Sequence, residues 1–165
     1  MTLRFYPESS KKLISGGWDS VKLWDLRNNK ISAELKGITV CGHAIDMSKD
    51  QNTLVTGGGV GADNLKVWDT RKLANPVVSI RWCEDKINPL INCVKLIQGH
   101  KMVLVGGSDE IPAKCFSTQT GEMWANFTEP ERSCLSIDVR QDNKEMTLTD
   151  ASGNCISYHL RFSRD

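Results

Sequence analysis

One pattern occurs twice in this chain and constrains its fold more than any other feature of the sequence. An apolar run that ends in glycines, residues 13–17, is followed by an acidic residue and then by a segment that ends in Trp24 and Asp25. Residues 54–58 are followed in the same order by Trp68 and Asp69, and the two tryptophans stand 44 residues apart. A period of about 40–45 residues is typical of repeated units of four β-strands. The pattern therefore predicts an array of small four-stranded sheets.

Two weaker copies extend the repetition over nearly the whole chain. The third copy begins near Met102 and has Phe116 where the first two copies have Trp. The fourth begins near Met146 and has Tyr158 at that position. The aromatic residues of successive copies are 48 and 42 residues apart, close to the first spacing. An aromatic residue thus recurs in every copy, whereas the acidic residue after it does not.

Local patterns agree with an all-β chain. Val21, Leu23 and Val67 alternate with polar neighbours, as in a half-buried strand. Glycines at 16–17 and 57–59 fall where the chain must turn sharply between strands. No long helix is predicted, because Asn88-Pro89 interrupts the only stretch of mixed helical character.

The segments 15–27 and 54–71, each with a Trp-Asp pair, resemble the WD-repeat family. The resemblance implies a β-propeller, whose blades are sheets of four antiparallel strands around a central channel. We therefore predict an all-β, WD40-like partial β-propeller of about four blades. The chain is expected to form a single WD-repeat domain over residues 1–165, with approximate blades at 1–36, 37–82, 83–128 and 129–165.

The chain departs from the family in two respects. Propellers of this family commonly have seven blades, so about four blades predict a half-ring fragment, a truncated isoform or a chain that pairs with another. A half-ring leaves apolar faces and strand edges uncovered, so we expect self-association or pairing with further blades. A closed ring of four blades is the alternative. The pairs Gly42-His43 and Gly99-His100 lie at the wrong offset for the family's Gly-His network.

The resemblance also implies structural roles for the repeated residues. The four aromatic residues are expected in the core, where replacement of a buried Trp by Ala costs about 3–5 kcal/mol. Aspartates in the hairpin turns are expected to accept hydrogen bonds from backbone N–H groups. These structural residues are Trp24, Asp25, Trp68, Asp69, Asp19, Asp63, Phe116 and Tyr158, with Asp109 as a further candidate of the turn type.

Three residues are candidates for partner binding. Trp18 lies in a turn, where an exposed aromatic residue anchors a partner, although packing against the next blade is the alternative. Arg27 and Arg71 each follow a Trp-Asp pair by two residues. This pattern is similar to that of WD-repeat substrate receptors of cullin-RING ubiquitin ligases, in which the arginines help to dock the adaptor. Solvent-exposed arginines that pair with a nearby acid are the alternative.

Composition and motifs favour a protein-binding scaffold over other classes. Lys plus Arg total 21 and Asp plus Glu total 20, a balance that gives no reason to expect a nucleic-acid or membrane partner. The six cysteines show no metal-ligand spacing, and no nucleophile or metal-hydrolase motif occurs. We therefore expect other proteins as partners and no catalysis, metal or cofactor. Cytoplasm is the default location, because no signal peptide or membrane-spanning run is found in the sequence.

Overall fold

The computed structural model describes residues 1–59, 63–82, 90–97, 99, 101–108 and 112–162. Within those ranges the chain forms fifteen β-strands and no helix. The strands make four antiparallel sheets that follow one another along the chain. This arrangement confirms the predicted all-β class and the partial propeller. Asp109, His100 and the Asn88-Pro89 pair lie outside the described residues.

Each sheet is a meander in which consecutive strands pair. The first consists of β1 (Thr2–Phe5), β2 (Lys12–Gly16), β3 (Ser20–Asp25) and β4 (Lys30–Lys36). The second consists of β5 (Ile45–Met47), β6 (Thr53–Gly57), β7 (Leu65–Asp69) and β8 (Val78–Ile80). The third consists of β9 (Ile91–Ile97), β10 (Met102–Gly107), β11 (Ala113–Ser117) and β12 (Met123–Phe127). The fourth consists of β13 (Cys134–Val139), β14 (Glu145–Asp150) and β15 (Cys155–His159).

The fourth sheet differs from the predicted four-stranded unit. In the first three sheets the strand that carries the repeated aromatic residue is followed by an outermost strand, β4, β8 or β12. After β15, which carries Tyr158, no such strand occurs among the described residues, so this sheet has three strands. The chain leaves β15 through Leu160 and Phe162, which pack against a buried apolar cluster.

One row of side chains recurs in the same register in every sheet, and we call it the aromatic row. It joins one residue on each of the first three strands, which are direct cross-strand partners. In the second to fourth sheets most of its members are buried. The rows are Phe5, Leu13 and Trp24; Met47, Leu54 and Trp68; Leu96, Val103 and Phe116; and Val139, Met146 and Tyr158.

The opposite face of each of the first three sheets packs closely on the sheet that follows. A Cβ added to Gly16 would lie 2.6 Å from Ile45 of the second sheet. The equivalent Cβ on Gly57 would lie 2.4 Å from Ile91 of the third sheet. Since real Cβ atoms do not approach neighbours so closely, glycine at this position permits the next sheet to approach.

Gly106 of the third sheet occupies the same position. A Cβ there would lie 2.6 Å from Sγ of Cys134 in the fourth sheet and 2.7 Å from Sγ of Cys93. Both cysteines are almost fully buried, so their sulfur atoms have little room to move. The third and fourth sheets are therefore held at the same short separation as the earlier pairs.

The buried apolar side chains form two clusters that follow the order of the sheets. The first cluster joins the first, second and third sheets, and includes Ile14, Val67 and Phe116. The second joins the third and fourth sheets, and includes Leu104 and Met146. No cluster of described residues joins the fourth sheet back to the first. The sheets therefore form an open array, which has two terminal faces.

We predict that Gly106→Ala destabilises the fold by about 1–3 kcal/mol, because the added methyl group overpacks the contact between the third and fourth sheets. Gly17→Ala is the matched control, since the nearest atoms to its added Cβ lie 4.0 Å away. The measurement is the free energy of unfolding in urea. Equal values for the two variants would contradict the close packing at Gly106.

Candidate functional site

The first sheet carries the aromatic row, but no described residue of another sheet covers it. Across the four strands Phe5 pairs with Leu13, Leu13 with Trp24, and Trp24 with Ile31. Phe5 is 55% exposed, Ile31 is 45% exposed, and Leu3 beside them is 64% exposed. We call the four residues Phe5, Leu13, Trp24 and Ile31 the open row. They form a continuous apolar stripe on the first terminal face.

Trp24 is therefore not the buried core residue that its repeat position predicts. Trp68, its equivalent, is 6% exposed, whereas Trp24 is only partly buried. Both indoles are fixed by the same contact: Trp24 donates from Nε1 to Oγ of Ser15 at 2.8 Å, and Trp68 donates to Oγ1 of Thr56 at 2.9 Å. The difference in burial arises because the second sheet has a preceding neighbour and the first sheet has none in the described chain.

The second terminal face, on the fourth sheet, has a different chemistry. Thr147 and Ser157 stand where the first sheet has Ile14 and Leu23, and their hydroxyl oxygens lie 2.9 Å apart. Thr149 stands at the position that glycine occupies in the other three sheets. A threonine side chain fills the space that a following sheet would enter. This face is polar, so it can remain in contact with water and needs no covering sheet.

The array therefore has one apolar end and one polar end. A polar terminal face is the device by which arrays of repeats remain soluble at their ends. The open row lacks that device, and a contiguous exposed apolar stripe marks a surface for contact with another molecule. The asymmetry makes the first sheet the candidate functional surface.

A buried carboxylate connects three sheets near this surface. Asp46 on β5 is 1% exposed and lies 2.9 Å from the Arg4 guanidinium of the first sheet. It also accepts hydrogen bonds from the backbone N–H of Leu96 in the third sheet and of Met47, both at 2.8 Å. Burial raises the pKa of Asp46, while Arg4 and the two N–H donors act in the opposite direction.

Charges alternate in sign along the first strands of the four sheets. At one register position these strands carry Arg4, Asp46, Lys95 and Asp138. Nζ of Lys95 lies 2.6 Å from the Asp138 carboxylate, so the residues form two ion pairs, one between the first two sheets and one between the last two. The pair of Lys95 and Asp138 is largely exposed at Asp138, and exposed ion pairs contribute little stability. In the pair of Arg4 and Asp46, the carboxylate is buried.

A cavity of about 290 Å³ opens where the first strands end. Its lining includes Arg4, Asp46, Lys95 and Arg140, which come from all four sheets or the turns that follow their first strands. Arg4 and Asp46 are paired with each other, Lys95 is paired with Asp138, and Arg140 is paired with Asp142 and Glu145. The described lining contains no His, Cys or Ser side chain.

The three sequence-derived candidates for partner binding do not form one surface. Trp18, in the turn between β2 and β3, is 77% exposed, so it does not pack against the next sheet. Arg27 and Arg71 follow β3 and β7, at the opposite end of the sheets. A six-residue strand separates the two ends by about 20 Å. The structure thus brings the two arginines to the same end and leaves Trp18 apart from them.

Each of these arginines is paired within its own turn. Arg27 contacts Asp25, and Arg71 donates from Nε and Nη2 to the Asp69 carboxylate at 2.9 and 2.7 Å. The same carboxylates accept the backbone N–H of the arginine. These hydrogen bonds lower the pKa of Asp25 and of Asp69 to about 2. The guanidinium groups remain largely exposed, at 63% and 70%.

The hairpin aspartates do not have the expected structural role. The carboxylate of Asp19 makes no hydrogen bond within the described chain, and Asp63 has only a long ion pair of 3.8 Å with Arg81. The backbone closes these turns itself, through Gly17 N–H to Ser20 and Gly58 N–H to Asn64. The aspartates of the Trp-Asp pairs cap the turns instead.

Over the described ranges no group of three or more His, Cys, Asp or Glu side chains is arranged to hold a metal ion. The same ranges contain no helix that is long and apolar enough to cross a membrane. Cys41, Cys93, Cys115, Cys134 and Cys155 are free thiols, and Cys83 lies outside the described residues.

Comparison with solved structures gives propeller neighbours. The chain superposes on the Dos1 propeller with a TM-score of 0.72 at 22% identity, over 95% of this chain and 40% of that one. It superposes on the computationally designed Ika4 protein with a TM-score of 0.71 at 14% identity, over 97% and 92% of the two chains. No protein-family model and no curated protein matches the sequence. These likenesses show the propeller fold, and the chain spans less than half the length of the Dos1 propeller.

Sequence reasoning missed the open row and the alternating charges. The charges and the positions of the aromatic rows could have been found by aligning the four copies on their aromatic residues, because Arg4, Asp46, Lys95 and Asp138 precede those residues by 20 to 22 positions. Each charged residue directly precedes the first member of an aromatic row. The exposure of the row in the first sheet has no local signal, since it depends on the absence of a neighbour.

We predict that Arg71→Ala raises the pKa of Asp69 from about 2 towards its ordinary value of 3.8. Because the folded pKa is lowered, the pair stabilises the fold above the unfolded pKa of about 4 and loses this effect as the pH falls towards 2. NMR titration of the Asp69 carboxyl group measures the shift. Arg27→Ala, in another sheet, is the control and is expected to leave Asp69 unchanged.

Proposed function

We propose that this chain is a WD-repeat propeller segment that acts as a non-catalytic scaffold for protein binding. The observation that carries the proposal is the open row, an exposed apolar stripe whose equivalents in the other three sheets are covered by a neighbouring sheet. Burial of a large apolar side chain contributes about 1.5–3 kcal/mol, so covering Phe5 and Ile31 provides substantial binding energy.

The repeated turn chemistry supports the WD-repeat assignment. In both strong copies the indole of the Trp-Asp pair donates to a hydroxyl group two strand positions away from its cross-strand partner. In both, the acid of the pair binds the arginine two residues later through its side chain and its backbone N–H. The same local bonds at the same repeat position are what a structural repeat with a common sequence signature requires.

The chemistry of the partner surface follows from continuity with the existing contacts between sheets. The aromatic row of the third sheet shares a buried cluster with the second sheet, and that of the fourth shares one with the third. A partner for the open row would therefore present the apolar face of a β-sheet. A second copy of this chain offers the polar face with Thr147 and Ser157 at its other end, which is a poor match. We infer a different protein, or further propeller blades, as the occupant.

The absence of catalysis is part of the proposal. The cavity at the end of the first strands is lined by charged side chains, of which Arg4 and Asp46 are paired with each other and Lys95 is paired with Asp138. A general acid or base needs a titratable group free to exchange protons with a substrate. The arrangement favours a structural role for these residues.

The test is site-specific photo-crosslinking with benzoyl-phenylalanine at position 5 and, as the matched control, at position 77. Val77 is 62% exposed but lies outside the open row. We expect a protein partner to be captured from position 5 and not from position 77, with the crosslink on a strand residue of the partner. Phe5→Asp is expected to weaken binding of that identified partner about tenfold or more.

Two outcomes would contradict the proposal. Equal capture at positions 5 and 77 would mean that the open row is not a specific surface. Light scattering that shows a dimer of the chain alone, converted to a monomer by Phe5→Asp, would assign the row to self-association instead.

A second candidate function is that of a substrate receptor of a cullin-RING ubiquitin ligase. Its specific support is that Arg27 and Arg71 follow equivalent strands at the same end of neighbouring sheets and remain largely exposed. Arginine in a fixed orientation is suited to bidentate contacts at an interface.

For this candidate we expect the purified chain to bind the ligase adaptor and the double variant Arg27→Ala, Arg71→Ala to lose that binding. Arg81→Ala is the control, since Arg81 precedes the third sheet and follows no Trp-Asp pair. Titration calorimetry measures the affinity. Absence of binding by the unaltered chain would end the candidate.

A further inference from the structure

The open edge of β15 is a row of backbone groups that no described residue satisfies. Leu160 donates its N–H to the carbonyl of Lys144 at 2.8 Å. This bond shows which residues of β15 direct their backbone groups towards β14. Because antiparallel strands alternate the direction of their backbone groups, Ile156 and Tyr158 bond to β14. Cys155, Ser157 and His159 therefore direct their N–H and C=O groups away from the sheet.

The equivalent positions in other sheets are paired with an outermost strand. Val67 stands at the position of Ser157, and its carbonyl accepts the N–H of Val77 at 2.7 Å. In the first sheet the outermost strand β4 pairs with β3 along its whole length. The fourth sheet thus has a place for one more antiparallel strand, beside β15.

The edge of β15 lacks the features that protect such edges. Natural edge strands are blunted by lysine, proline, bulges or inward charges. The residues whose backbone N–H and C=O groups face this edge are Cys155, Ser157 and His159, and none of them is a lysine or a proline. By contrast β4, the outermost strand of the first sheet, carries Lys30, Glu34 and Lys36. An unprotected edge favours addition of a strand.

The outermost strands of the first and third sheets indicate which side chains a fourth strand beside β15 would carry. Opposite the repeated aromatic residue, β4 has Ile31 and β12 has Met123. Both strands contain an irregularity at this point, so that one residue is skipped. The next paired residue is Ala33 in β4 and Ala125 in β12. The shared pattern is a bulky apolar residue, any residue, and alanine.

We propose that β15 binds an extended peptide segment of another protein as a fourth antiparallel strand. Its bulky apolar residue would lie opposite Tyr158, and its alanine opposite Ser157. Backbone hydrogen bonds to the three outward residues of β15 would supply affinity, and the spacing of the two side chains would supply specificity. This site lies on the fourth sheet and does not depend on the open row.

The test uses a fluorescent peptide with the sequence of residues 121–128, which contains β12. In β12, Ala125 directs its N–H towards the neighbouring strand and Asn126 directs its N–H away, as the bond from Ser117 N–H to Glu122 indicates. We expect saturable binding by fluorescence anisotropy. N-methylation at Ala125 is expected to weaken binding at least tenfold, and N-methylation at Asn126 is the matched control that leaves it unchanged.

Hydrogen exchange then locates the peptide. Bound peptide is expected to slow amide exchange at Cys155, Ser157 and His159, while Ile156 and Tyr158 are protected already. The Phe5→Asp variant should bind the peptide as the unaltered chain does, which separates this site from the open row. Equal loss from both N-methyl peptides, or new protection on β11 instead of β15, would overturn the proposal.

Discussion

The contact between an aromatic row and the glycine-bearing face of the preceding sheet is the interaction on which the rest of the structure depends. Each sheet is too small to bury its own apolar residues, and it gains a core only through its neighbours. Glycine at positions 16, 57 and 106 lets the following sheet approach, and the aromatic row of that sheet fills the space between them. The contact occurs three times along the chain. The aromatic row of the first sheet has no such partner in the described chain, and the open row is exposed for this reason.

Most of the fold could be predicted from the sequence because the repeated aromatic residues are regularly spaced along the chain. Trp24, Trp68, Phe116 and Tyr158 mark the same register position in four sheets, as their order in the chain indicates. The meander of strands also follows from glycine-rich turns between alternating segments. The proposed division of the chain into blades at fixed residue boundaries stays a prediction.

The candidate site could be predicted only in part. Burial of Trp24 depends on a neighbouring sheet, which a local pattern cannot specify, and the expected core residue is only partly buried for that reason. The prediction that Asp19 and Asp63 bind backbone N–H groups in the turns was wrong, because backbone hydrogen bonds from Gly17 and Gly58 already close these hairpins. Arg27 and Arg71 were recognised by pattern, but their pairing with Asp25 and Asp69 required the geometry of the turn.

The buried carboxylate of Asp46 has a consequence for how the array holds together. In a simple stack of repeats each unit interacts only with its nearest neighbours, and stability is a sum of such terms. Asp46 belongs to the second sheet, yet it binds Arg4 of the first and the backbone of Leu96 in the third. One side chain thus couples three consecutive units, and the first three sheets are expected to unfold as a single cooperative block rather than one at a time.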